Sequence, residues 1–111
     1  MTICITSQGS TLDDPLEARF GRSPWFLFVD EESGDVTAVE NPYAAGAGGV
    51  GPRSVQLVAD HGATALITGQ LGGNALVAIK TAGIPVFRHP GGVSAGQALE
   101  EYRAGKLVQI D

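Results

Sequence analysis

Cysteine is nearly missing from this 111-residue chain. Cys4 stands alone, so no internal disulfide can form and a reducing cytoplasm is the expected compartment. Histidine is almost as scarce. His61 and His89 are the only two, and no C-x-x-C or H-x-x-x-H spacing occurs, which argues against a zinc or ferredoxin-type site built from the chain's own ligands. Positive charge is also thin: seven Lys and Arg stand against twelve Asp and Glu, for a net charge of −5. No attraction to nucleic acid or to an anionic membrane surface is expected from that balance. The longest apolar run falls far short of a membrane span. The opening MTICITSQGS has no positively charged n-region and reads directly as a strand, not as a signal peptide.

What the chain has in excess is glycine, 16 residues of it, much of it gathered between elements whose periodicity is clear. The length suits one domain spanning residues 1–111. TICIT, WFLFVD and VTAVEN read as three strands, the last two forming a hairpin around EESGD, with Gly34 at positive φ. The segment PRSVQLVADHG predicts a helix with Val55, Val58 and Ala59 on one stripe, Pro52 in its first position and Gly62 as its stop. TALIT is a fourth strand, residues 73–82 a second helix ended by Gly83, and IPVF a fifth strand. SAGQALEEYRAG is a third helix, with Ser94 and Gln97 at capping-box spacing. KLVQID is either a tail or a short extra strand. The order β-β-β-α-β-α-β-α implies an α/β fold, a five-stranded mixed sheet with one antiparallel strand and three helices.

Three of the loops expected at the carboxyl ends of the parallel strands are glycine-rich: NPYAAGAGGVG, TGQLGGNA and RHPGGVS. Ligands of open α/β sheets bind at that edge. GAGGVG (Gly46 to Gly51) matches the letters of the dinucleotide fingerprint but not its context. It does not directly follow the first strand, no acid stands about 20 residues on, and Pro52 removes an amide from the helix start. Its alternatives are an anion-binding loop or a plain flexible connection. His89 follows the fifth strand at the same edge, whereas His61 belongs to the far end of the first helix and Cys4 to a buried strand. Arg22 and Arg88 are candidate anion partners, with an ion pair to Asp13, Asp14 or Glu17 the favoured reading for Arg22. Arg53 sits in a first helical turn, against the helix dipole, unless something negative lies nearby. No nucleophile elbow, P-loop or zinc-protease motif is present, and the strands lack the carboxylates that a two-metal nuclease needs, so the chain reads as a non-enzyme.

The run RFGRSPWFLFVD, then ENP before a glycine-rich loop, then ALITGQLGGNAL and AGIPVF, resembles the dinitrogenase iron–molybdenum cofactor biosynthesis family across nearly the whole chain. The resemblance implies a ribonuclease H-like fold and the binding and delivery of an iron–sulfur or iron–molybdenum-type cluster, with cluster donor and acceptor proteins as partners. On that basis the expected contacts are Gly46, Gly48, Gly49, Gly72 and Asn74 in the glycine loops, Arg22 and Arg53 for negative charge, and His89 for metal. The alternative is a regulatory or interaction module that binds a protein partner or a small anion without metal.

Overall fold

The computed structural model describes residues 1–46 and 50–110. Strands β1 (Thr2–Ser7), β2 (Trp25–Asp30) and β3 (Val36–Glu40) are followed by α1 (Val50–Asp60), β4 (Ala65–Thr68), α2 (Gly73–Thr81), β5 (Val86–Arg88), α3 (Ala95–Arg103) and β6 (Val108–Ile110). They form one sheet in the order β3-β2-β1-β4-β5-β6.

Strand alternation sorts the core into two faces. Cys4, Phe26, Phe28, Leu66 and Val86 point to the face where α1 and α2 supply Val55, Val58 and Ile79. Ile3, Ile5, Leu27, Val29 and Ile67 point to the other, against Ala95, Ala98 and Leu99 of α3. The central strands are therefore apolar on both sides, as expected for a sheet covered twice. Each helix is stopped where its sequence allows a left-handed residue: Gly62, Gly83 and Gly105 have φ of 75°, 74° and 73°. Ser94 caps α3 by accepting the Gln97 amide at 3.1 Å.

The expected five-stranded sheet with one antiparallel member needs correction. The described residues form six strands, and two run antiparallel: β2 beside β1, and β6 beside β5. The sixth is three residues long, with Val108 and Gln109 exposed, so it carries no hydrophobic alternation. It forms because Gly105 turns the chain back and Val86–Arg88 would otherwise be a bare edge. Helix α1 also begins earlier than expected. Val50 opens it, so Pro52 is the third helical residue, still inside the turn where amides have no intrahelical partner.

A candidate anion-binding cleft between two helix N-termini

Strands β1, β4 and β5 are parallel, and β3 runs in the same sense as β1 because two antiparallel pairings separate them. The chain leaves β1 toward β2 but leaves β4 toward β5, so the connections diverge between β1 and β4. Such a divergence opens a crevice at the strands' carboxyl ends.

Its walls are zipped together below the opening. The Gln70 amide donates to the Ala18 carbonyl at 2.6 Å, and the Phe20 amide donates to the Gln70 carbonyl at 2.9 Å. This pairs the β1–β2 connection with the β4–α2 loop as a short parallel bridge. Gly69 makes the approach possible, since a Cβ there would stand 2.5 Å from the Ala18 carbonyl oxygen. Beneath lies a buried polar layer. Thr6 Oγ1 donates to the Glu17 carbonyl at 2.7 Å and lies 3.0 Å from Thr68 Oγ1, both hydroxyls fully buried. Ser23 Oγ accepts the Ser7 amide and donates to the Trp25 carbonyl. Asn41 joins three segments: its Nδ2 donates to the Ser23 carbonyl at 3.0 Å and to Ser54 Oγ at 3.2 Å, and its Oδ1 accepts the Tyr43 amide. No buried side-chain N or O among the described residues lacks a partner, which makes this layer a rigid base for the opening.

The result is a cleft of about 400 Å³ between Arg19–Arg22 on one side and Gln70–Ala75 with the start of α1 on the other. Helices α1 and α2 meet there because Gly51 has no side chain; a Cβ would come within 2.9 Å of the Ala75 Cβ. The N-cap of α2 is Gly72, which offers no side-chain acceptor, and neither helix has an acid in its first turn. The first-turn amides of α2 thus keep their capacity for an outside acceptor, and both helix dipoles direct partial positive charge toward the cleft. Arg19 and Arg22 add two full charges, and no acid lines the cleft among the described residues. In a chain of net charge −5 that local sign is the reverse of the whole.

The expected site residues divide. Gly72 and Asn74 line the cleft, although Asn74 does not cap α2. Arg22 also lines it, and among the described residues it is not ion-paired as favoured from sequence. Its Nη1 donates to the Ala44 carbonyl at 3.0 Å and the Gly46 carbonyl at 2.7 Å, because the turn after Asn41 brings those oxygens closer than any acid. The Gly46 amide is already spent on the Tyr43 carbonyl. Gly48 and Gly49 lie outside the described residues. Arg53 turns away from the cleft and lies over the Tyr43 ring, 5.8 Å from its centroid. His89 is buried beside the cleft. Its Nε2 is 2.8 Å from Glu101 Oε2 and its Nδ1 accepts the Gly91 amide at 2.9 Å, so a metal could be bound only by displacing one of these. Arg88 Nε is held by the Gly69 carbonyl.

Outside the cleft, His61 Nδ1 meets the Leu57 carbonyl at the end of α1 and the ring stacks on Phe28, a helix-terminal role that the sequence anticipates. Cys4 is fully buried, and desolvation holds its thiol well above the usual range. No group of three His, Cys, Asp or Glu able to hold a metal ion occurs among the described residues. Arg19 and Asn41 escaped sequence reasoning. The signal for Arg19 was its three-residue spacing from Arg22 across Phe20 and Gly21, and for Asn41 the polar stop between an edge strand and a proline.

Residues 1–105 match the model of the dinitrogenase iron-molybdenum cofactor family. The chain belongs to this family. As a member of the dinitrogenase iron-molybdenum cofactor family it is 30% identical to an uncharacterized protein of Methanocaldococcus jannaschii, over 86% of this chain and 83% of that one. Its fold is similar to that of the apo form of the orange protein from Desulfovibrio gigas, with a TM-score of 0.94 at 31% identity, covering 98% of this chain and 92% of the other. A NifB candidate from Thermotoga is similar at a TM-score of 0.85 and 36% identity, covering 96% and 90%. Among the described residues no helix is long and apolar enough to cross a membrane.

Proposed function

We propose that this chain is a non-catalytic carrier that binds a preassembled, anionic iron–sulfur or iron–molybdenum-type cluster in the cleft and passes it between donor and acceptor proteins in a reducing cytoplasm. One observation carries the reading: the cleft is lined by guanidinium groups and helix N-termini and, among the described residues, by no thiolate, imidazole or carboxylate. A bare metal ion would find no ligand set there. A cluster whose metals are already satisfied by their own sulfides needs only its outer negative charge met, which amides and arginines do. The amides at Gly72 and Asn74 and the guanidinium charge at the rim meet that charge. His89 adds a metal contact only if Glu101 or the Gly91 amide gives up its ring nitrogen. The strand order of the first five strands, with the second antiparallel, supports the ribonuclease H-like reading of the fold.

The test uses tetrathiomolybdate as the simplest molybdenum–sulfide dianion. Anaerobic incubation followed by gel filtration should leave its visible absorbance on the protein, with occupancy falling as ionic strength rises. Phosphate and sulfate at equal charge serve as competitors. Equal displacement by either would replace the cluster reading with that of a general small-anion binder, and free elution of the chromophore would end both.

A further inference from the structure

Two arginines reach the cleft, and their surroundings differ. Arg22 is committed: both hydrogens of its Nη1 are taken by the Ala44 and Gly46 carbonyls, in the segment that leads toward α1. Among the described residues the other hydrogen bonds of that segment are local turn bonds, from the Tyr43 amide to Asn41 Oδ1, from the Ala44 amide to the Asn41 carbonyl and from the Gly46 amide to the Tyr43 carbonyl. Val50 packs where side chains at Gly21 and Gly46 would stand, so the segment abuts the cleft wall. Arg22 therefore clips one loop to another across the cleft's rim.

Among the described residues the Arg19 side chain makes no hydrogen bond. It is 67% exposed, and its one ion pair, from Nε to Glu17 Oε2, is long at 3.7 Å. That carboxylate oxygen is better engaged by the backbone amide of Arg19 itself, at 3.0 Å. Meanwhile the backbone on either side of Arg19 is fixed by the Ala18–Gln70 and Phe20–Gln70 bonds. An uncommitted guanidinium thus stands on a rigid root, facing the first turn of α2. A ligand that engages it breaks no existing hydrogen bond of good geometry, whereas one that takes the Nη1 edge of Arg22 must displace two carbonyls.

We infer that the two residues divide the work: Arg19 is the charged group that grips the cargo and determines affinity, and Arg22 is a positioning residue that holds the 42–46 segment against the cleft. The inference deepens the carrier reading and rests on it. Because both side chains are exposed, their variants are expected to fold.

The experiment pairs tetrathiomolybdate titration with amide hydrogen exchange on the ligand-free protein. Arg19→Ala should weaken binding about ten-fold or more, with exchange at Tyr43 and Gly46 unchanged, and Arg19→Lys should recover most of the loss. Arg22→Ala should speed exchange at Tyr43 and Gly46 about ten-fold before any ligand is added, while weakening binding by no more than about three-fold. Three results overturn the division: Arg19→Ala binding within two-fold of wild type, Arg22→Ala the more damaging to affinity, or Arg22→Ala leaving exchange untouched. If wild type takes up no tetrathiomolybdate, the carrier reading fails and the role of Arg19 falls with it. The exchange arm, measured without ligand, then decides the Arg22 tie by itself.

Discussion

Replacing Gly69 by alanine places a methyl group 2.5 Å from the Ala18 carbonyl oxygen and 2.8 Å from the Ala18 Cα. Both are backbone atoms, so no side chain can swing aside. An ordinary contact begins near 3.4 Å, and the two walls must therefore part by roughly 1 Å. That separation breaks the 2.6 Å bond from the Gln70 amide to Ala18 and loosens the 2.9 Å bond from the Phe20 amide to Gln70. Overpacking of this kind costs about 1–3 kcal/mol, and each lost bond about 0.5–1.5 kcal/mol. The terms overlap, so Gly69→Ala should lose about 2–4 kcal/mol, or about 8–16 °C in Tm for a domain of this size. Gly73→Ala is the control. It lies four residues on, opens α2, and would meet nothing within 4 Å; it should be neutral or stabilising by up to about 1 kcal/mol. Urea unfolding followed by Trp25 fluorescence measures both, since Trp25 is the only tryptophan and pairs with Ser7 at the cleft end of the sheet. A Gly69→Ala protein within 0.5 kcal/mol of wild type would show that the zipped walls are not what shapes the opening.

Burial lifts the Cys4 thiol well above its usual value, so the folded state stays protonated where the unfolded chain ionises, from about pH 8.5. Stability should therefore be fully present below that pH and fall by about 1.4 kcal/mol per unit above it. Cys4→Ala should lower the plateau but remove this component of the slope, read from urea midpoints between about pH 8 and 9.5. His89→Ala leaves the Gly91 amide and Glu101 without their partner and empties a buried site, for a loss of about 2–4 kcal/mol in denaturant unfolding. The same geometry predicts that nitrogen chemical shifts will show His89 as the neutral tautomer with hydrogen on Nε2.

Legibility in the sequence tracked how local each feature is. Helix ends were readable because Gly62, Gly83 and Gly105 each act within one turn. The central strands were readable because β-branched and aromatic residues fill both faces. β6 stayed open between tail and strand, since two exposed residues and one half-buried one carry no period and owe their strand to a distant edge. The cleft was readable as an edge of the sheet but not as a list of side chains. Arg22 finds carbonyls that only the folded turn after Asn41 presents, and Arg53 finds the Tyr43 ring. His89, placed at the right edge, has both ring nitrogens engaged by Glu101 and Gly91, partners that a helix and a turn bring in from elsewhere.

The bridge between Ala18 and Gln70 also bears on when the cleft can exist. Its two walls are remote in the chain, and one of them hangs on β4, which pairs with β1 only after the β2–β3 hairpin and α1 have been laid down. Contacts of such long sequence separation form late, after the entropy of closing the intervening chain has been met. A nascent chain that has not yet emerged through α2 therefore has no cleft to offer. Conversely, a ligand held there binds the completed topology alone, so its affinity is transmitted in full to the global unfolding equilibrium.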